Sequence, residues 1–256
     1  MRMSPTRGSA AEPSPEHLLR KATLARTSGL RAKYAQRGLD SSGSLSRTTR
    51  AMLLRQLYLS HMEGRRFDEA RAVAEQMLQL EVMPDVARQD AARACLGVGD
   101  RNGALAHLRL ASRVSPPSRR AFHLWTLGSV LYLAGRHEEA IGALSRAFRW
   151  GTTDRPLYQA QLALSRLAKG EPVTDLAEIR ERLSDSPCGQ GYGQFVLGEL
   201  AHAAGDDEAA RDYLRGFVKR STSGRVALAV ALEGEITRAR EILSRLPRKR
   251  RKKPVG

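Results

Sequence analysis

The sequence predicts an all-helical chain built from antiparallel helix hairpins stacked side by side, and three observations carry that prediction. Ala, Leu and Arg dominate while only 5% of residues are aromatic, a composition that favours helix over sheet. From Arg50 to Leu246 short amphipathic segments alternate with Gly-containing turns, and no sustained period-two pattern competes. The turns recur at a nearly constant spacing.

In chain order, residues 1–15 (MRMSPTRGSAAEPSP) lack an apolar period and read as a disordered N-terminal segment. Residues 16–45 read as a helical cap-like pair and a loop, with Ser28-Gly29 as the turn and Ala32, Tyr34 and Leu39 in the second helix. The polar run Asp40–Thr49 (DSSGSLSRTT) reads as that loop. Residues 46–246 form the repeat array, and Pro247 opens a basic, disordered tail, 247–256.

Five turns in the array look alike: GRRFDEA (64–70), GDRNGA (99–104), GRHEEA (135–140), GDDEAA (205–210) and GEITRA (234–239). Each begins with Gly and closes on Ala: Ala70, Ala104, Ala140, Ala210 and Ala239, separated by 34, 36, 70 and 29 residues. The 70-residue step is two periods, so a degenerate unit is expected around Tyr158–Leu183. Gly tolerates the left-handed backbone of a tight reversal. Asp68 and Glu69, or Glu138 and Glu139, suit the positive end of the following helix. The closing Ala lets two helices approach. A single hairpin cannot bury its apolar stripe, so neighbours must stack.

These residues resemble the tetratricopeptide repeat family, whose pattern is W-x-x-L-G-x-x-Y, then A-x-x-x-F, then P. The third unit carries Leu127-Gly128, Leu131, Ala140, Leu144 and Ala147; the fifth carries Leu197-Gly198, Ala201, Ala210, Leu214 and Phe217. The second has Ala91-Ala92, Cys95, Ala104, Leu108, Ala111 and Pro116, and the first has Ala70, Ala74 and Pro84. Most aromatic positions hold Leu or Ala, and Gly170 and Pro172 interrupt the fourth unit. The resemblance implies a right-handed α-solenoid, a superhelix of hairpins whose concave groove, lined by the first helix of each pair, binds a peptide or protein segment.

Projected onto this sequence, that groove would present Gln89 and Arg93, then Phe122, Trp125, Ser129 and Tyr132, then Gln159 and Arg166, then Tyr192, Phe195, Glu199 and His202. Aromatic and cationic groups together suit a hydrophobic or acidic peptide. Aromatics three or four apart on a helix also suit a core, and for Trp125 and Phe195 both readings stand. The single asparagine, Asn102, argues against the carboxylate clamp that chaperone-binding relatives build from Lys, Arg and Asn.

No catalytic, cofactor or metal site is expected. The six histidines form neither HExxH nor an i, i+4 pair, and GxSxG and Walker A motifs are missing. Gly191-Tyr192-Gly193 follows no strand, and the Glu138-Glu139 and Asp206-Asp207 pairs fall at helix starts. Cys95 and Cys188 are too distant in sequence for a metal knuckle and read as packing residues. The longest apolar run, Val226–Leu232, cannot span a membrane, and the N-terminus has no secretory leader pattern, so a cytoplasmic location is expected.

The net charge of +16 is uneven: residues 1–50 carry +7, residues 248–253 carry +6, and the remaining middle only +3. The run Arg248, Lys249, Arg250, Arg251, Lys252 and Lys253 reads either as a solvated end or as an anion contact for nucleic-acid phosphates or an anionic membrane. The expected function is a non-catalytic interaction scaffold; the alternative is a nucleic-acid- or membrane-associated protein that uses its basic ends.

Overall fold

The computed structural model describes residues 13–41, 44–223 and 226–247. Fourteen α-helices and one 3-10 turn occur among the described residues, and no strand. None of these helices is long and apolar enough to cross a membrane. The described residues form two compact units, divided between Met83 and Pro84.

The first unit holds α1 (Pro15–Leu24), α2 (Ser28–Leu39), α3 (Arg47–Glu63) and α4 (Phe67–Gln79). Ser14 caps α1 and Thr27 caps α2 through their side-chain oxygens, so the first reversal spans Ala25–Thr27. The Ser28-Gly29 pair expected there instead opens α2. Ala22, Ala35 and Leu53 are fully packed. A Cβ on Gly38 would lie 2.7 Å from Leu53, so only a glycine lets α2 and α3 approach this closely. Arg31 pairs with Glu63 at 2.5 Å, and Ser60 donates to the Ser28 carbonyl at 2.7 Å.

The second unit runs through α5 (Pro84–Gly97), α6 (Arg101–Val114), α7 (Pro117–Leu133), α8 (His137–Trp150), α9 (Arg155–Lys169), α10 (Leu176–Ser184), a 3-10 turn (Pro187–Gly189), α11 (Gly193–Ala203), α12 (Asp207–Ser223), α13 (Val226–Ala231) and α14 (Glu233–Arg245). Successive helices pair as hairpins. Each hairpin stacks on the next, α6 against α7 and α8 against α9. One continuous core runs from Ala92 to Leu246. Leu, Ala and Cys side chains of the repeat pattern fill it: Ala92, Cys95, Ala104, Leu108, Leu127, Leu131, Ala140, Leu144, Leu197, Ala210 and Leu214 are none of them above 3% exposed. Gly128 meets Leu144, and Gly198 meets Leu214, so closely that a Cβ would lie 2.5 and 2.6 Å from the leucine.

The turns explain the repeat spacing. Gly99, Gly135 and Gly205 adopt φ of 82°, 73° and 75°, the left-handed conformation expected of them. In the first motif that place is taken by Arg65, at φ 54°, and Gly64 lies one residue early. The fifth motif is no turn. Gly234 is the second residue of α14, and the break falls at Leu232, after the short helix α13. In the degenerate fourth unit Gly170 ends α9 with φ 86°, and α10 is only nine residues long.

Candidate partner-binding face

α7 sets the face. Leu124, Leu127 and Leu131 turn into the core, so Phe122, Trp125, Ser129 and Tyr132 share a different stripe of the helix. Phe122 is 38% exposed. Its ring centre lies 5.6 Å from that of half-buried Trp125. Trp125 meets Tyr158 at 6.1 Å and Tyr192 edge-on at 4.9 Å. The ladder continues from Tyr192 to Phe195 and Phe217, both fully buried. Aromatic rings therefore lead from solvent at Phe122 to the core at Phe217.

A polar chain runs beneath those rings. Trp125 Nε1 donates to Gln161 Oε1 at 2.6 Å, and Ser129 Oγ lies 3.1 Å from the same oxygen. Gln161 Nε2 donates to the Tyr192 hydroxyl at 3.4 Å, which donates in turn to Glu235 Oε1 at 3.2 Å. Beside it, Tyr132 donates to Glu199 Oε2 at 2.7 Å, and Arg238 Nε donates to Glu199 Oε1 at 3.0 Å. Burial raises the Tyr132 and Tyr192 hydroxyls well above the ordinary range, reinforced by the charges of Glu199 and Glu235 respectively. Burial also pushes the Glu235 carboxyl up to about 6, against the Tyr192 bond and the positive charge of Arg93.

A second buried polar group ties α5 to α7. Arg119 donates to both oxygens of Asp85, at 2.7 and 2.9 Å, and His123 Nε2 lies 3.0 Å from Asp85 Oδ2. Burial alone would raise the Asp85 carboxyl, but these two donors outweigh it and hold the group below its usual range. Burial lowers the His123 imidazole in spite of Asp85.

Of the residues projected onto the groove, Trp125, Ser129, Tyr132, Tyr192 and Glu199 are gathered in one cluster. Phe195 lies wholly in the core, which settles its packing, and Gln89 is 6% exposed. Gln159 accepts from Arg182 Nη1 at 3.3 Å, and half-exposed Arg93 lies 3.9 Å from Asp90. Phe122 and Arg166 reach the surface, and His202 is half-buried. The run Arg248–Lys253 lies outside the described residues. Sequence reasoning missed Gln161, Glu235 and Arg238. Gln161 belongs to the degenerate unit, and the other two belong to a segment read as a turn. Among the described residues no group of three or more His, Cys, Asp or Glu is placed to hold a metal.

No family model matches the chain, and no curated protein matches it either. Solved structures do. The Cut9–Hcn1 hetero-tetramer of the APC/C superposes over 93% of this chain at a TM-score of 0.56 and 15% identity. The chain has the tetratricopeptide-repeat fold. It spans about half, 49%, of the matched Cut9–Hcn1 chain. Nearly identical TPR-like repeats of the kinesin light chain type from Podosopora anserina align over 71% of this chain and all of theirs, at 17% identity and a TM-score of 0.49. At such identities the likeness is one of fold.

Proposed function

We propose that this tetratricopeptide-type protein is a non-catalytic, cytoplasmic scaffold whose array, 46–246, binds a peptide or protein segment along the first-helix face of its second unit. The observation that carries the reading is the aromatic ladder of α7. Phe122 stands open to solvent while its inner neighbours are locked by ring contacts and by the Gln161 hydrogen bonds. A rigid aromatic anchor with an exposed edge costs a partner little ordering entropy. Half-exposed Arg93 and exposed Arg166 add positive charge on neighbouring first helices, which suits a segment combining apolar and acidic side chains.

The test compares proteins that co-purify with wild type and with Phe122→Ala plus Trp125→Ala, both checked for helicity by circular dichroism. The reading expects specific partners to be lost or weakened at least about ten-fold, as for truncated interface aromatics. An unchanged partner profile from a folded variant would refute it.

A further inference from the structure

Between α6 and α8, the second helices of consecutive hairpins, lies a cavity of about 410 Å³. Leu127 and Leu131 of α7, only 3% and 2% exposed, lie at its base, and Arg109, Arg113, Glu139, Gly142 and Arg146 stand on its walls. Trp125 and Leu127 are two residues apart on one helix, which sends their side chains about 200° apart. This cavity and the aromatic ladder therefore occupy opposite sides of α7.

Gly142 is the informative residue. A glycine inside a helix costs roughly 0.5–1 kcal/mol relative to alanine. At Gly128 and Gly198 that cost has a packing reason, because a Cβ would strike a leucine. At Gly142 there is none: a Cβ would meet no atom within 4 Å, and φ is not positive. Gly142 is exposed at the cavity's edge, so the missing side chain leaves that wall open to solvent.

The charges around that space are unbalanced. Arg109 donates to Glu139 at 2.8 Å, and Arg136 shares the same carboxylate. Arg146 has only the Gly142 carbonyl, at 3.3 Å. Among the described residues neither Arg113 nor Arg146 has a carboxylate partner. An apolar floor under two unpaired guanidinium groups fits a ligand that is apolar at its tip and anionic at its flanks. The volume accommodates one or two large side chains and lies within the range of ligand pockets.

We propose that the α6–α8 cleft is a second docking site, which takes an acidic peptide segment by seating an apolar side chain against Leu127 beside Gly142 and pairing flanking carboxylates with Arg113 and Arg146. The site is independent of the aromatic face of α7.

The experiment measures fluorescence anisotropy of a labelled EELEELEE peptide against the full chain at physiological salt. The comparison peptides are an all-Glu octamer and KKLKKLKK. Gly142→Leu fills the cleft without touching its charges, and Arg113→Glu plus Arg146→Glu inverts them. Saturable binding of EELEELEE is expected, weakened at least ten-fold by each variant and at least ten-fold weaker for both comparison peptides. Gly142→Leu keeps a helical fold with an unchanged or higher melting temperature, so its loss of binding reports the cleft. Binding that Gly142→Leu leaves intact, equal binding of the all-Glu peptide, or no binding by wild type would each overturn the proposal. The first two would transfer the affinity to diffuse positive charge such as the basic ends. EELEELEE binding that is lost in Phe122→Ala and kept in Gly142→Leu would place the peptide on the aromatic face and overturn this site, which separates failure of this site from failure of that face.

Discussion

Replacing Glu235 by Gln should stabilise the second unit at neutral pH, and the size of the effect follows from the burial of the carboxyl. Glu235 is 8% exposed, bonded to Tyr192, and held up to about 6 from an ordinary 4.5. A carboxyl with a raised folded-state pKa keeps its proton longer in the folded protein than in the unfolded chain. Its stability is therefore greatest below pH 4.5 and is withdrawn as pH rises through 6. Integrated over that window, ionisation destabilises the fold by about 2 kcal/mol at pH 7.5. Glutamine keeps an oxygen to accept the Tyr192 proton and does not ionise. The variant should match wild type near pH 4 and exceed it by up to about 2 kcal/mol at pH 7.5, about 4–8 °C in melting temperature. Stacked hairpins open piecewise, so hydrogen exchange in α14 is the sharper assay, with protection rising about 10- to 30-fold at pH 7.5. Only the difference between the two proteins is read, because acid protonates other groups in both. A variant less stable than wild type at pH 7.5, or a difference that does not shrink toward pH 4, would refute the assignment of Glu235 as a buried, reluctantly ionised group.

Four further outcomes follow from the packing and the backbone. Gly128→Ala should destabilise by about 1–3 kcal/mol in urea titrations, because its Cβ would overlap Leu144, whereas Gly142→Ala should stabilise by about 0.5–1 kcal/mol. Arg65→Gly relieves a left-handed non-glycine residue in the α3–α4 turn and should raise the stability of the first unit by about 0.5–1 kcal/mol in thermal melts. Asp85→Ala strands buried His123 and half-exposed Arg119 and should lower stability by about 2–4 kcal/mol at pH 7. The Asp85 carboxyl is depressed in the folded state, so its contribution is present above pH 3.8 and lost as pH falls through the folded value; wild type and variant should converge in strong acid.

The hairpins were readable in the sequence because their determinants are local. A left-handed Gly, an Ala five residues on and a Leu one turn later all fall within one reversal, and Ala104, Ala140 and Ala210 are each fully buried. The face of α7 was readable for the same reason, since helical geometry alone places Phe122, Trp125, Ser129 and Tyr132 on one stripe. What covers that stripe is not local. Tyr192 and Glu199 arrive from the region of α11, and Glu235 and Arg238 from α14, more than forty residues later in every case. Gly234 hid this last contribution, because a Gly followed five residues on by Ala imitates the turn motif inside a helix.

The position of α14 has a consequence for binding. A Cβ on Gly234 would come within 3.2 Å of Leu133, and Arg238 engages the carboxylate that also holds Tyr132. The inner end of the α7 stripe is thus already occupied by the chain's own last helix, while the outer end, at Phe122, is not. A partner that inserts between α7 and α11 must break the Tyr132–Glu199–Arg238 bonds, and one that docks across Phe122 need break none. Arg238→Ala separates the two. Under the outer-edge reading it leaves partner affinity unchanged in a direct titration, and a gain of ten-fold or more would show that α14 competes for the face.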